Sequence, residues 1–504
     1  MILAIDQGTT GTSVLVFNRQ GRVVARAYDE LPQYFPKPGW VEHDPREILA
    51  VTLRVVGKAL HQLGRRRARL AAVGITNQRE TSICWDRRTG LPVANAIVWQ
   101  CRRTAPMCEA LKRKGLEPAF RRKTGLVLDA YFSGTKIRWF LDHVPGLRKQ
   151  AEAGHIAFGT VDSWLLWHLT GGRVHATDYT NASRTLAYNI RTLAWDGALL
   201  KVLGIPRAML PEVKPSSGAF GHTARIGALP SGIPISGIAG DQQASLVGHH
   251  CLSPGEAKNT YGTGCFLLLH TGSRFVPSRH GLITTLAYGG GRRPAYALEG
   301  SVFIAGAAIQ WLRDGLQVIK TAAETEAIAR RTAGTGGVYV VPAFVGLGAP
   351  YWDMGARGAV VGLTRGSTRG VLVRATLESL AYQTADVVEA MQRDSRIRLT
   401  RLAVDGGAAN NDWLMQFQAD LLGIDVVRPK LVANTAKGVA LLAGIGIGWW
   451  QPSRLGALMG QPDKTFRPRM RAAERQRLLD GWHDAVAGVR HLASRGARHR
   501  KGMR

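Results

Sequence analysis

Asp241, Gln242 and Gln243 stand side by side in this 504-residue chain, and their types suit proton transfer and polar recognition. They follow residues 233–240, Ile-Pro-Ile-Ser-Gly-Ile-Ala-Gly, which read as a buried strand with a break. They precede an apolar, helix-compatible run that ends at Gly248. Asp241 is therefore expected at the exit of a strand and the start of a helix. That is where α/β folds hold ligands, and where unpaired helix N–H groups favour anions. A carboxylate beside an anion site is costly unless it takes a proton or holds a cation. Moving a phosphoryl group onto a hydroxyl calls for both. The same stretch also reads as a plain helix cap, since aspartate is a preferred N-cap residue.

A second carboxylate, Asp6, opens Asp6-Gln-Gly-Thr-Thr-Gly-Thr12 between two β-rich runs, residues 2–5 and 13–17, which predict a hairpin. Gly8 and Gly11 let the backbone bend until its N–H groups face inward, and Thr9 and Thr10 add hydroxyl donors. Such a nest suits phosphate. Asp6 at the strand end suits a hydrated Mg²⁺, an ion that takes few carboxylates and keeps several waters; an ordinary Asx turn is the alternative. Residues 257–264, Ala-Lys-Asn-Thr-Tyr-Gly-Thr-Gly, read as a second polar turn, followed by the apolar run 265–269. Two strand–turn–strand units half a chain apart predict a duplicated α/β domain with a nucleotide between the halves. A third Gly-rich turn, 404–411, follows the strand 401–404 and precedes an amphipathic helix at 413–422. Its glycines leave room for a flat ligand such as adenine against the backbone.

Length predicts two or three domains, and 45% hydrophobic with 20% charged residues describes a globular protein. Five cysteines show neither metal-ligand spacing nor an even-numbered framework, which fits reduced thiols and a cytoplasmic setting. The N-terminus is expected to enter a strand directly, without the basic region or cleavage site of a leader peptide. The longest apolar run, 438–450, falls short of the roughly 20 residues a membrane span needs. Net charge is +30, from 66 basic and 36 acidic residues. The charge is dispersed in short clusters at 65–67 and 121–123, and in residues 467–504, read as a helical segment with a frayed basic tail. No helix-turn-helix, zinc or RNA-binding signature accompanies it, so nucleic acid is not the expected partner.

Longer blocks carry a resemblance. Lys37-Pro-Gly-Trp-Val-Glu-His-Asp-Pro45, Gly74-Ile-Thr-Asn-Gln-Arg-Glu-Thr81, Ala96-Ile-Val-Trp-Gln-Cys-Arg-Arg103, Tyr131-Phe-Ser-Gly-Thr-Lys136, Thr177-Asp-Tyr-Thr-Asn-Ala-Ser-Arg184 and Pro350-Tyr-Trp-Asp353 are distinctive together. The chain resembles the FGGY carbohydrate kinases, and among them those that act on glycerol, from Met1 to about Trp450. The resemblance implies two duplicated ribonuclease-H-like (actin-like ATPase) α/β domains, 1–244 for polyol and phosphate and 245–450 for nucleotide, separated by a cleft. A C-terminal segment, 451–504, comes after them. It implies Mg-ATP and glycerol as substrates and a homo-oligomer, dimer or tetramer.

Site residues come from the same resemblance. Arg79, Glu80, Tyr131, Asp241 and Gln242 would contact the polyol, whose three hydroxyls need charged partners that reject lookalikes lacking one. Trp99 and Phe266 would cover its carbons. Asp241 would be the general base, and Asp6 with Asp241 would hold the metal. Thr9, Thr10, Gly11 and Thr263 would contact phosphates. Gly306 and Gln310, in an amphipathic helix over 303–313, and Gly407 and Asn411 would contact the rest of the nucleotide. No P-loop of Walker type occurs. Three departures stand out. Gly11-Thr12-Ser13 replaces the family's Ser-Ser-Arg, so the arginine that reaches the nucleotide phosphates is missing. Ala433, Lys437 and Val439 replace Glu, Leu and Ala near the adenosine side. The loop 224–232 lacks the Gly-Thr-Arg through which some bacterial members bind fructose bisphosphate, so that inhibition is expected to be absent. A related kinase acting on another polyol or on a ketose such as xylulose, and a nucleotide-binding regulator without catalysis, are the competing readings.

Overall fold

The computed structural model describes residues 1–502 except 292, 431, 432 and 461, and leaves undescribed the side chains of 68 and 496–502. Two large sheets organise the chain. In the first, β1 (Ile2–Gln7), β2 (Gly11–Phe17), β3 (Val23–Glu30), β4 (Ala72–Asn77), β5 (Ser217–His222) and β6 (Pro234–Gly240) lie in the order β5-β6-β4-β1-β2-β3. The second contains β7 (Glu256–Tyr261), β8 (Cys265–Gly272), β9 (Ile283–Ala287), β10 (Ala295–Val302), β11 (Arg401–Gly406), β12 (Asp425–Pro429) and β13 (Pro462–Phe466). Their order is β9-β10-β8-β7-β11-β12-β13.

The two sheets repeat one plan. In the first, β1 pairs antiparallel with β2 and parallel with β4, and β4 pairs parallel with β6. In the second, β7 pairs antiparallel with β8 and parallel with β11, and β11 pairs parallel with β12. The expected duplication is therefore present in the strand connectivity itself. The parallel strands β1 and β4 are almost uniformly buried, as strands covered on both faces must be.

Seven helices position or brace the strand ends: α1 (Pro45–Leu63), α2 (Asp241–Gly248), α3 (Gly306–Gln310), α4 (Arg369–Ser395), α5 (Asp412–Leu422), α6 (Asn434–Gly446) and α7 (Ala472–Gly502). α1 shows how the sequence dictates such an element. Asp44 caps it by accepting from the Arg46 N–H, Pro45 occupies the first turn, and Ile48, Val51, Val55, Ala59 and Leu60 form the buried stripe. α6 comes after the second sheet's β12 in sequence, yet it packs on β6, β4 and β1 of the first sheet and crosses α2. It ties the two halves together.

Three local expectations need correction. Residues 257–261 are strand, not turn, because Ala257, Lys258, Asn259 and Tyr261 are buried in β7; only 262–264 turn. The helix expected over 303–313 is α-helical only from Gly306 to Gln310, and continues as a π-helical turn over Trp311–Gly315. Within the helical segment at 467–504, Trp482, Ala485, Val486 and Val489 of α7 enter the core of the second half. The expected frayed tail is helical to Gly502, and Met503 and Arg504 lie outside the described residues. Among the described residues no helix is long and apolar enough to cross a membrane.

Candidate active site

Three neighbouring parallel strands end together and deliver the site. In register, Asp6 of β1 stands beside Thr76 of β4, which stands beside Ala239 of β6. Arg79 and Glu80 leave β4 just beyond this line, and Asp241 opens α2 just after β6. Gly240, not Asp241, occupies the cap position of α2. The Asp241 carboxylate is thus free of the capping role, although its Oδ1 accepts from the Gln242 N–H at 2.7 Å.

Asp241 is gripped through both oxygens. Arg79 Nε lies 3.2 Å from Oδ1, and Gln242 Nε2 donates to Oδ2 at 3.1 Å. Burial, and then repulsion from Asp241, push the Asp6 carboxyl up to about 7. Two carboxylates close enough to repel, with few other protein oxygens, could hold a cation such as Mg²⁺, which keeps several waters. Among the described residues no group of three or more histidine, cysteine, aspartate or glutamate side chains forms a metal cage.

Arg79 and Glu80 are not a surface pair; their side chains are 2% and 1% exposed. Arg79 forks onto Glu299 at 2.6 and 3.1 Å, and donates to Gln243 at 3.2 Å and to the Tyr131 hydroxyl at 3.5 Å. Glu80 accepts from Arg184 Nε at 2.6 Å, and Arg184 Nη2 reaches Glu299 at 2.8 Å. Burial pushes the Glu80 carboxyl up, against the pull of Arg184 and Arg79. Burial also opposes the charge on Glu299, but Arg184 and Arg79 more than reverse it and hold that carboxyl at about 2. Glu80 adopts φ 62°, a left-handed backbone uncommon for a side chain of its size. Ser133 and the buried Lys136 fix it there by donating to the Glu80 carbonyl at 3.0 and 3.2 Å. This explains the Tyr131-to-Lys136 block.

An aromatic wall closes one side. Trp99 meets Tyr131 and Phe266 edge-on, with ring centroids 5.5 and 6.2 Å apart. Phe266 comes from β8 in the second sheet, so the wall spans both halves. Trp99 Nε1 donates to Thr9 Oγ1 at 2.8 Å, which links the wall to the first glycine turn.

That turn closes with Gly8 N–H donating to the Gly11 carbonyl at 2.9 Å, and its counterpart with Gly262 N–H donating to Gly264 at 2.8 Å. Thr10, Gly262 and Thr263 are exposed. The start of α3 docks on the second turn: Gly306 N–H donates to the Gly262 carbonyl at 3.0 Å. A Cβ at Gly306 would lie 2.6 Å from that same oxygen, so only glycine fits. Gln310 is exposed at the end of α3. Gly407 lies just beyond β11, the strand beside β7, and a Cβ there would meet open space. Asn411 caps α5 by accepting from Leu414 N–H at 2.9 Å, and its amide donates to Thr325 at 3.2 Å. Ser13 stands across from Asp6 in the β1–β2 ladder.

The structure thus joins Asp6, Arg79, Glu80, Trp99, Tyr131, Asp241, Gln242 and Phe266 into one contiguous constellation, with Thr9 attached. The sequence singles out Gln243 without giving it a partner, and does not mark Arg184, Lys258 or Glu299 as site residues. Glu299 had a legible signal: a lone carboxylate inside the apolar run 295–302 must find a buried partner. Lys258 was hidden by the assignment of its strand as a turn.

Comparison with known proteins decides the family. The model of the FGGY family of carbohydrate kinases matches twice, its N-terminal domain over residues 1–248 and its C-terminal domain over 257–447. The chain belongs to the FGGY family of carbohydrate kinases. This FGGY chain is 58% identical to a glycerol kinase of Symbiobacterium thermophilum over 493 residues, covering 98% of this chain and 99% of that one. It is 56% identical to a glycerol kinase of Thermus thermophilus over 485 residues, covering 96% and 98% of the two chains. A crystal structure of Plasmodium falciparum glycerol kinase with ADP superposes with a TM-score of 0.92 at 36% identity, covering 97% of this chain and 98% of that one. A xylulose kinase from Lactobacillus acidophilus, at 22% identity, a TM-score of 0.85 and 98% of each chain, shares the fold.

Proposed function

We propose that this FGGY kinase transfers the γ-phosphoryl group of ATP to a terminal hydroxyl of glycerol, giving sn-glycerol 3-phosphate and ADP. The observation that carries it is the Asp241 carboxylate, held through both oxygens beside Asp6 where the first sheet's parallel strands end. Near-full-length identity of 55–58% to proteins named glycerol kinase supports the choice of acceptor.

Arg79, Glu80 and Gln242 offer charged and amide partners for the polyol hydroxyls, and Tyr131, Trp99 and Phe266 cover its carbons. Asp241 takes the hydroxyl proton as the new oxygen–phosphorus bond forms and the bond to the ADP oxygen breaks. The N–H groups of the turns at 8–11 and 262–264 receive the phosphates, and Gly306, Gln310, Gly407 and Asn411 border the rest of the nucleotide. Asp6 with Asp241 would hold magnesium, which when bound neutralises charge on the phosphates. In this reading residues 1–244 and 245–450 act as two domains that close over the substrates and exclude water, with 451–504 as the C-terminal segment. A cytoplasmic enzyme, working as a homo-oligomer and without nucleic acid, completes the proposal; five free cysteines fit such a reducing setting.

The test is ADP release from Mg-ATP with glycerol, dihydroxyacetone, erythritol, xylulose and no acceptor, for wild type and Asp241→Asn. Glycerol-dependent turnover that falls about 10²- to 10⁴-fold in the variant is expected. Turnover with xylulose alone would overturn the acceptor, and undiminished turnover in the variant would overturn the base.

A further inference from the structure

Each side chain that holds Asp241 is itself held from the other half of the molecule. Arg79, on Asp241 Oδ1, is forked by Glu299 of β10. Gln242, on Oδ2, receives a hydrogen bond at its Oε1 from Lys258 Nζ of β7, which also donates to Thr260 at 2.9 Å. Glu299 and Lys258 occupy one line of the second sheet, for Lys258 pairs with Leu268 of β8 and Leu268 pairs with Glu299. Residues in one cross-strand line point to one face. Phe266, two residues along β8 from Leu268, is on that face too, and it completes the aromatic wall. The second sheet therefore presents a carboxylate, an ammonium and a ring to a base carried by the first.

We propose that Lys258 and Glu299 are positioning residues that orient the Asp241 carboxylate, through Gln242 and Arg79 respectively, only when the two halves of the molecule are in contact. Both side chains are fully buried. A buried charge persists only with partners, so the pair is built for these contacts and not for solvent. Asp405, on the neighbouring strand β11, supplies a counter-charge that helps keep Lys258 protonated although burial lowers its pKa to about 8. The consequence is functional. When the halves separate, Gln242 and Arg79 lose their far-side partners and the carboxylate loses its fixed direction. The base is then competent only in the closed arrangement, which limits phosphoryl transfer to water.

The inference rests on the proposed kinase reading, and the experiment separates the two. Steady-state kinetics of Mg-ATP and glycerol are compared for wild type, Lys258→Met, Gln242→Ala, the double variant, and Glu299→Gln. Methionine approaches the length of lysine without its charge, so the buried site tolerates it. Loss of one charge-assisted hydrogen bond on a positioning group predicts a fall in kcat of about 10- to 100-fold for Lys258→Met, with KM for ATP within about twofold of wild type. In the Gln242→Ala background the same substitution should change kcat by less than about twofold, because Lys258 acts through that amide. Glu299→Gln should raise KM for glycerol and lower kcat together. A kcat for Lys258→Met close to wild type overturns the inference alone. So does full additivity with Gln242→Ala, or an effect confined to KM for ATP, either of which would put Lys258 directly on the nucleotide. If Glu299→Gln does not fold, the Lys258 and Gln242 cycle decides. A wild type that ignores glycerol overturns the kinase reading and the inference with it.

Discussion

Replacing Gly438 by alanine tests whether the crossing of α6 over α2 sets the position of Asp241, the proposed base. The helices meet backbone to backbone: a Cβ at Gly438 would lie 1.8 Å from the Ala244 carbonyl oxygen and 2.9 Å from the Gly248 nitrogen. Restoring an ordinary carbon–oxygen contact from 1.8 Å requires the helices to part by roughly 1.5 Å. Ala244 lies one turn along α2 from Asp241, so that displacement reaches the carboxylate directly. Misplacing a reacting group by about 1 Å can cost on the order of 10²-fold in rate, and overpacking about 1–3 kcal/mol of stability. Gly438→Ala is therefore expected to fold, to lose about 10- to 100-fold in kcat with glycerol, and to unfold at a lower temperature. Gly488→Ala is the control. It sits in α7 with nothing within 4 Å of a new Cβ, and should gain up to about 1 kcal/mol with unchanged kinetics. ADP release and thermal unfolding of the three proteins settle the matter. A folded Gly438→Ala enzyme with kcat close to wild type would refute the idea that helix contact positions Asp241.

Other outcomes come from single features. Burial lowers His43 from 6.5 to about 4, so the unfolded chain binds its proton first as pH falls. Its contribution is present above pH about 6.5 and drains by about 1.4 kcal/mol per pH unit down to about 4; His43→Gln should remove that share of the slope in urea titrations at about pH 7 and 5, leaving the shares of His168 and His175, which burial lowers alike. Ser13→Arg places a guanidinium across from Asp6 and beside the first glycine turn, and should lower KM for Mg-ATP several-fold; an unchanged KM would mean another group already serves there. Trp482 of α7 is fully buried, stacks on Tyr382 at 5.3 Å and donates to Asp386 at 2.8 Å. Trp482→Ala should cost about 3–5 kcal/mol, read as a shift in denaturant midpoint, and a solvated appendage would show none. Fructose bisphosphate should leave turnover unchanged, since the loop 224–232 lacks the Gly-Thr-Arg of some bacterial members; clear inhibition would contradict this.

Local chemistry was legible from the chain alone. The paired glycine–threonine turns, half a sequence apart, announced a duplicated α/β plan, because a turn that must bend its N–H groups inward writes its glycines into the sequence. Asp6 and Asp241 were legible for the same reason, each at a strand end within a few residues of its turn, whereas Arg79 and Glu80 entered through the family resemblance. Tertiary structure decided what distance in sequence conceals. Glu299 lies 220 residues from the Arg79 it forks, and nothing in either segment names the other. Lys258 read as part of a polar turn because a lone ammonium in a strand looks solvent-facing until its buried partners are known. Helix α6, far along the chain, covers the first sheet because Gly438 and Gly248 permit a close crossing. Sequence sets which groups can do chemistry and the turns that expose them. The charges that aim those groups come from the opposite sheet, and only packing brings that sheet within hydrogen-bonding distance.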